Sequence, residues 1–184
     1  LIYLFIAIAA VALIMLFSIY NGLVSMRNSV HSAWSDIDVQ LTRRHDLVPN
    51  LVESVKGYMA HERQTFEQVT QARAAAMQSS AGIDIATRAV AETALGNAMG
   101  NLLARVERYP ELKASQNFLL LQEQITSTEN RIAFARQHYN EAVRQFNTRI
   151  AEFPSNLIAG AFSFAPEKLF AMDESERANV VVKV

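Results

Sequence analysis

The chain has 184 residues, 17 basic against 18 acidic side chains, no cysteine, 6 glycines and 4 prolines. That length holds one domain with an appendage rather than two large domains, and a net charge of −1 lacks the cationic excess that phosphate neutralisation needs, so no nucleic-acid partner is expected. The absence of cysteine excludes disulfides, thiolate metal sites, cysteine nucleophiles and thiol redox switches.

A mean hydropathy of +0.08 is high for a chain with this many charges, and the excess sits at the start. Leu1 to Ile19 carries no charge, its only hydroxyls are Tyr3 and Ser18, and the first charge is Arg27. Residues 1–20 as a helix span about 30 Å, the thickness of a bilayer's hydrocarbon core. Tyr20 falls where an interfacial aromatic anchor sits. The run is longer than a signal-peptide core, and Ile19-Tyr20-Asn21 is a poor cleavage site, so Leu1 to Tyr20 reads as a retained transmembrane anchor.

Beyond Tyr20, apolar residues recur at three- and four-residue steps: Val30, Trp34, Ile37, Leu41, Val48, Leu51 and Val55. This near-heptad seam predicts one long helix from about Leu23 to Gln78, continuous with the anchor and kinked between His45 and Pro49. Arg44 and Glu62 fall on the seam and need partners. Arg44 is expected to cross to a glutamate such as Glu129 or Glu141 and to set helix register. Ser79 to Gly82 reads as a turn, with Asp84 capping a helix from about Ile85 to Arg108. In that helix Gly96 and Gly100 would let a neighbour approach closely. Pro110 opens a third long helix with a stripe through Phe118, Leu121, Ile125, Ile132, Tyr139, Phe146, Ile150 and Phe153. Asn140 and Asn147 lie beside that stripe, placed to bond across helices. Pro154 ends the helix, and Asn156 to Phe162 forms a short further one. The fold class is therefore all-α: a transmembrane helix continuing into an extended antiparallel bundle of three long helices plus a short C-terminal one. The domains are the anchor at 1–20, the bundle at 21–162 and a tail at 163–184. The tail closes on Asn179-Val180-Val181-Val182-Lys183-Val184 and has two readings, a mobile segment or a strand that adds to another chain.

Two groups of residues carry a family resemblance. The first is Tyr20-Asn21-Gly22-Leu23-Val24, Ala33-Trp34-Ser35-Asp36-Ile37-Asp38 and Arg43-Arg44-His45-Asp46-Leu47-Val48-Pro49-Asn50-Leu51-Val52. The second is Tyr109-Pro110-Glu111-Leu112, Glu129-Asn130-Arg131-Ile132 and the spaced pairs Tyr139-Asn140, Phe146-Asn147 and Phe153-Pro154. Together they resemble the bacterial LemA family from the anchor to about Phe164. The resemblance implies a membrane-anchored helical bundle with no established catalytic residues and a largely unassigned biochemical role. It also implies relatives in the magnetosome membrane and some lipoprotein-like members, whose lipid-accepting cysteine this chain lacks.

Chemistry-bearing patterns are sparse. The residues three before His31, His45, His61 and His138 are Asn28, Thr42, Tyr58 and Ala135, so the Glu-x-x-His of di-metal bundles does not occur. No glycine-rich phosphate loop occurs either. No catalytic residue, cofactor or metal site is therefore assigned, and the chain is not expected to be an enzyme. The candidate interaction or structural residues are Arg43, Arg44, Asp46, Pro49, Asn50, Asn140 and Asn147. Around the proline, one reading is a kinked site whose free carbonyl and guanidiniums bind a peptide, carboxylate or lipid head group. The other is structural, with Arg43 paired to Asp46 and Arg44 to a distant glutamate.

A helix projecting about 80 Å beyond a membrane leaves much lateral surface to cover, so a homo-oligomer is expected. The leading reading is a non-enzymatic structural or adaptor protein, with membrane lipids, further copies and other envelope proteins as partners. The expected site is the bacterial inner membrane, crossed once. Arg27, Arg43 and Arg44 favour a cytoplasmic bundle by the positive-inside rule, and lipoprotein-like relatives favour the opposite side.

Overall fold

A computed structural model of the chain describes residues 1–59, 61–80 and 84–170. Among the described residues the regular structure is six α-helices and no strand: α1 (Ile2–Lys56), α2 (Arg63–Ser79), α3 (Ile85–Val106), α4 (Pro110–Lys113), α5 (Gln116–Ala151) and α6 (Ser155–Ala161). The all-α class and the long apolar N-terminal helix are as expected. The Val-rich terminal run lies outside the described residues.

The first long helix differs from expectation, because α1 ends at Lys56 and α2 begins at Arg63. Gly57 is the local cause: glycine costs a helix roughly 1 kcal/mol relative to alanine. The amides of Tyr58 and Met59 then both close onto the carbonyl of Val55. The hydrophobic seam hides this break, since Met59 is fully buried in the connection itself. Four long helices therefore stand where three were expected. Pro110 opens only the single turn of α4, and α5 starts at Gln116.

The chain divides into two compact units. One comprises Leu1–Asp36 and Ala135–Leu169; the other comprises Ile37–Phe134 with Phe170. In the first unit every residue from Leu1 to Ser18 is exposed, and Ile19 is the first buried one. By length and composition α1 can cross a membrane. From Ile19 onward, Leu23, Val30 and Ala33 of α1 are buried together with Tyr139, Val143 and Phe146 of α5. Trp34 meets Tyr139 edge-on at 5.3 Å. Phe164 bridges the ring of Phe146 at 6.3 Å and that of Tyr20 at 5.9 Å. As α5 numbers rise α1 numbers fall, so the two segments are antiparallel.

The same unit holds the extended segment after α6. Phe164 donates its amide to Ala159 at 2.9 Å and Ser163 donates to Gly160 at 3.4 Å, the bond pair of a Schellman cap. Ser163 supplies the left-handed residue that this cap needs, at φ 56°.

The second unit is a four-helix core. Leu47, Val48, Leu51 and Val55 of α1 pack with Val69 and Ala76 of α2, and with Leu95, Met99, Leu102 and Val106 of α3. Phe118 and Ile125 of α5 complete it. These spacings of three and four are the amphipathic pattern that buries one stripe per helix.

Candidate functional site

Charged side chains converge inside the second unit. Arg44 and His45 lie on α1 in the stripe between Leu41 and Val48, and they are only 4% and 6% exposed. Facing them is Glu92, 3% exposed, on the α3 stripe Arg88, Glu92, Leu95, Met99, Leu102 and Val106. The Arg44 Nη2 donates to the Glu92 carboxylate and also to the Glu92 carbonyl oxygen at 3.1 Å. Its Nη1 donates to both carboxylate oxygens of Glu129 on α5, each at 3.2 Å. His45 Nε2 lies 3.0 Å from Glu92 Oε1. An ionised carboxylate only accepts, so that nitrogen carries the proton. A Cβ at Gly96 would stand 3.6 Å from Arg44 Nη1, an ordinary van der Waals contact, so the guanidinium does not depend on the glycine. A Cβ at Gly100 would meet nothing within 4 Å, so neither glycine makes the close helix approach expected of the pair.

The electrostatics follow from this geometry. Burial alone would raise the Glu92 pKa, but the His45 hydrogen bond and the Arg44 charge outweigh it and hold the carboxyl below its ordinary value. Arg44 and Glu92 cancel, and Glu129, 40% exposed in its side chain, supplies a second acceptor toward solvent. Two further ion pairs bind α3 within this unit, Arg88 to Asp38 of α1 and Arg105 to Glu62, just before α2, at 2.5 Å.

The proline has its own compensation. Pro49 lies inside α1 and has no N–H to offer the His45 carbonyl four residues earlier. Arg73 of α2 donates its Nε to that oxygen at 2.7 Å. The free carbonyl of the binding reading is therefore taken. Arg43, Asp46, Pro49 and Asn50 are all exposed, and no ion pair joins Arg43 to Asp46 among the described residues. The cluster expected around the proline thus separates into a buried, internally bonded half and an exposed half.

The two asparagines belong to the first unit. Asn147 does not bond across helices: its Nδ2 donates to the Glu167 carbonyl and its Oδ1 accepts the Glu167 amide, both at 2.9 Å. The short amide side chain reads one backbone residue as a β-strand partner would. Beside the half-buried Asn140, the Tyr139 hydroxyl donates to the Lys168 carbonyl at 2.8 Å. Burial, aided by the nearby Glu167 charge, pushes the Tyr139 pKa up to about 12. Residues 164–168 are thus tied to α5 by side chains.

Sequence reasoning missed Glu92 and Arg73 as members of the cluster. The signal for Glu92 was its place in a heptad-like stripe that is otherwise apolar below Arg88. His31, His61 and His138 are exposed. No group of three or more histidine or acidic side chains that could hold a metal occurs among the described residues. The chemistry available in the buried cluster is charge neutralisation within the fold. The outer surface of α5 carries a shallow groove between Leu119 and Phe134, and Phe134 is 70% exposed.

A model of the LemA family matches residues 33–184. Protein LemA of Metamycoplasma hominis is 28% identical over 160 residues, which cover 87% of this chain and 72% of that protein. Magnetosome protein MamQ 2 of Paramagnetospirillum magneticum is 26% identical over 174 residues, covering 82% of this chain and 64% of that one. Magnetosome protein MamQ of Magnetospirillum gryphiswaldense is 25% identical with the same coverage. The chain therefore spans a little under two thirds of the length of the MamQ proteins.

Proposed function

The chain belongs to the LemA family, and from that premise we propose that it is a non-enzymatic, membrane-anchored structural or adaptor protein. It self-associates and organises partner proteins at a bacterial inner membrane. The observation that carries this reading is the contrast between a polar interior that bonds to itself and apolar helix surfaces that do not. Arg44, Glu92, His45, Arg73 and Glu129 bond to one another and to backbone. By contrast Phe134, Leu120 and Leu119 of α5 stand 70%, 59% and 48% exposed. Apolar groups left out of a core are what an association surface offers.

The names of the relatives support the setting. Two are magnetosome proteins, and the exposed apolar start of α1 is the element that a membrane would cover. The test is the native mass of the detergent-extracted protein. Assembly predicts a multiple of the 20.5 kDa chain mass, and Phe134→Glu should lower that mass while leaving the helical circular dichroism unchanged. A wild-type protein that stays a single chain across the accessible concentration range would refute self-association.

A further inference from the structure

The short helix α6 is built inside out. Ser155 is fully buried and Ala159 is 4% exposed, so two small residues form its inward face. Leu157 is 65% exposed, and the large apolar residues flanking the helix, Phe153 and Phe162, are 79% and 52% exposed. A surface helix in water has the opposite arrangement, with large apolar groups inward and small or polar ones outward.

The position of α6 explains the inversion. Phe162 packs its ring on Tyr20 at 4.8 Å between centroids, and Tyr20 stands at the end of the apolar run of α1. The level of Phe153 follows from the antiparallel pairing of α1 and α5. Tyr139 lies against Trp34, and twelve residues further along α5, about 18 Å, reach Ala151. The same descent along α1 from Trp34 reaches Gly22, so Phe153 lies near the level of Tyr20. Exposed Phe153 and Phe162 thus stand where the fully exposed stretch Leu1–Ser18 meets the first buried residue, Ile19, and exposed Leu157 lies on the short helix between them. Just beyond, the guanidinium of Arg27 lies 5.0 Å over the ring of Phe164. Aromatic side chains with a cation beyond them form the layering of a protein at the boundary between hydrocarbon and head groups.

The geometry points to α6 with Phe153 and Phe162 as a second membrane contact, an interfacial foot that rests in the head-group region of the leaflet where α1 emerges. This rests on the reading of residues 1–20 as a membrane span. The occupant is the bilayer surface, because the apolar face continues that of α1 at the same level. A foot of this kind fixes the end of the first unit against the membrane instead of leaving it to swing on one helix.

The cysteine-free chain permits single spin labels without further substitution. Leu157→Cys, Leu13→Cys and His138→Cys are labelled with a nitroxide and reconstituted in phosphatidylcholine vesicles. Accessibility is then read by power saturation with oxygen, which enters lipid, and with a water-soluble nickel chelate. The label at residue 157 should fall between the other two, with a higher ratio of oxygen to nickel accessibility than that at 138 and a lower one than that at 13, and the label at 138 should be severalfold more open to nickel than that at 157. A lipid-type response at 13 with a water-type response at 157 overturns the foot and leaves the span standing. A water-type response at both overturns the span and the foot together. A label at 157 shielded from both reagents and broadened by a second label shows that another copy covers this face, which also overturns the proposal.

Discussion

Replacing Arg73 by methionine removes the N–H that the His45 carbonyl receives at 2.7 Å, and the cost should depend on whether residue 49 is proline. A hydrogen bond with a charged donor contributes roughly 1.5–3 kcal/mol. Arg73 is half-buried, so about 1–2 kcal/mol is the expected loss after solvent screening. With Pro49→Ala in place, the alanine N–H takes over the carbonyl through the ordinary i to i−4 bond. Arg73→Met should then cost no more than about 0.5 kcal/mol beyond its packing contribution. The coupling between the two sites is thus expected at about 1 kcal/mol. Four proteins in the same detergent, unfolded by urea and followed by circular dichroism, measure it as a double-mutant cycle. If Arg73→Met costs the same in both backgrounds, Arg73 acts through packing, and the carbonyl argument fails.

Glu92→Gln should destabilise the protein by about 3 kcal/mol at neutral pH, since it leaves buried Arg44 with the half-open Glu129 as its one acidic partner among the described residues. The folded pKa of Glu92 lies below its ordinary value of 4.5, so its contribution is complete above 4.5 and lost as pH falls through the folded value. The gap between wild-type and E92Q melting temperatures should accordingly be constant above pH 4.5 and shrink only in more acidic buffer. Among the five tyrosines, Tyr139 should ionise near 12 in an ultraviolet titration, and Tyr139→Phe should remove that step at a cost of about 1 kcal/mol. Ser163→Gly should raise the melting temperature, worth about 1 kcal/mol, because glycine occupies the left-handed cap position without the clash that a Cβ brings.

Much of the fold was legible because helix burial writes itself as a period. Val48, Leu51 and Val55 recur at the steps that a buried stripe requires, and the same residues line the core. The break at Gly57 was harder to see, since Met59 keeps the seam apolar through a segment that is not helical. Periodicity reports which side chains are buried and is silent on whether the backbone between them is continuous. At the site, Arg44 was visible as a charge within an apolar stripe. Its main partner was harder to see: Glu92 falls on the stripe of Leu95, Met99 and Leu102, but with alanines on either side it looks solvated until the facing helix is known. Asn147 illustrates a different limit, because a residue beside a heptad seam can serve backbone as readily as another helix, and here Glu167 is that backbone.

The Arg44 ion pairs also impose an order on synthesis. Arg44 bonds to groups 48 and 85 residues later in the chain, on Glu92 and Glu129. At ribosomal speeds of about 5–20 residues per second, Glu129 follows Arg44 by roughly 4 to 17 s. For the first 48 of those 85 residues Arg44 has neither acidic partner, and until Glu129 follows it has Glu92 alone. On the reading of residues 1–20 as a membrane span, that segment is made before any of the core partners of Arg44, and a nascent chain whose synthesis stops short of α5 would hold Arg44 with one of its two acidic partners.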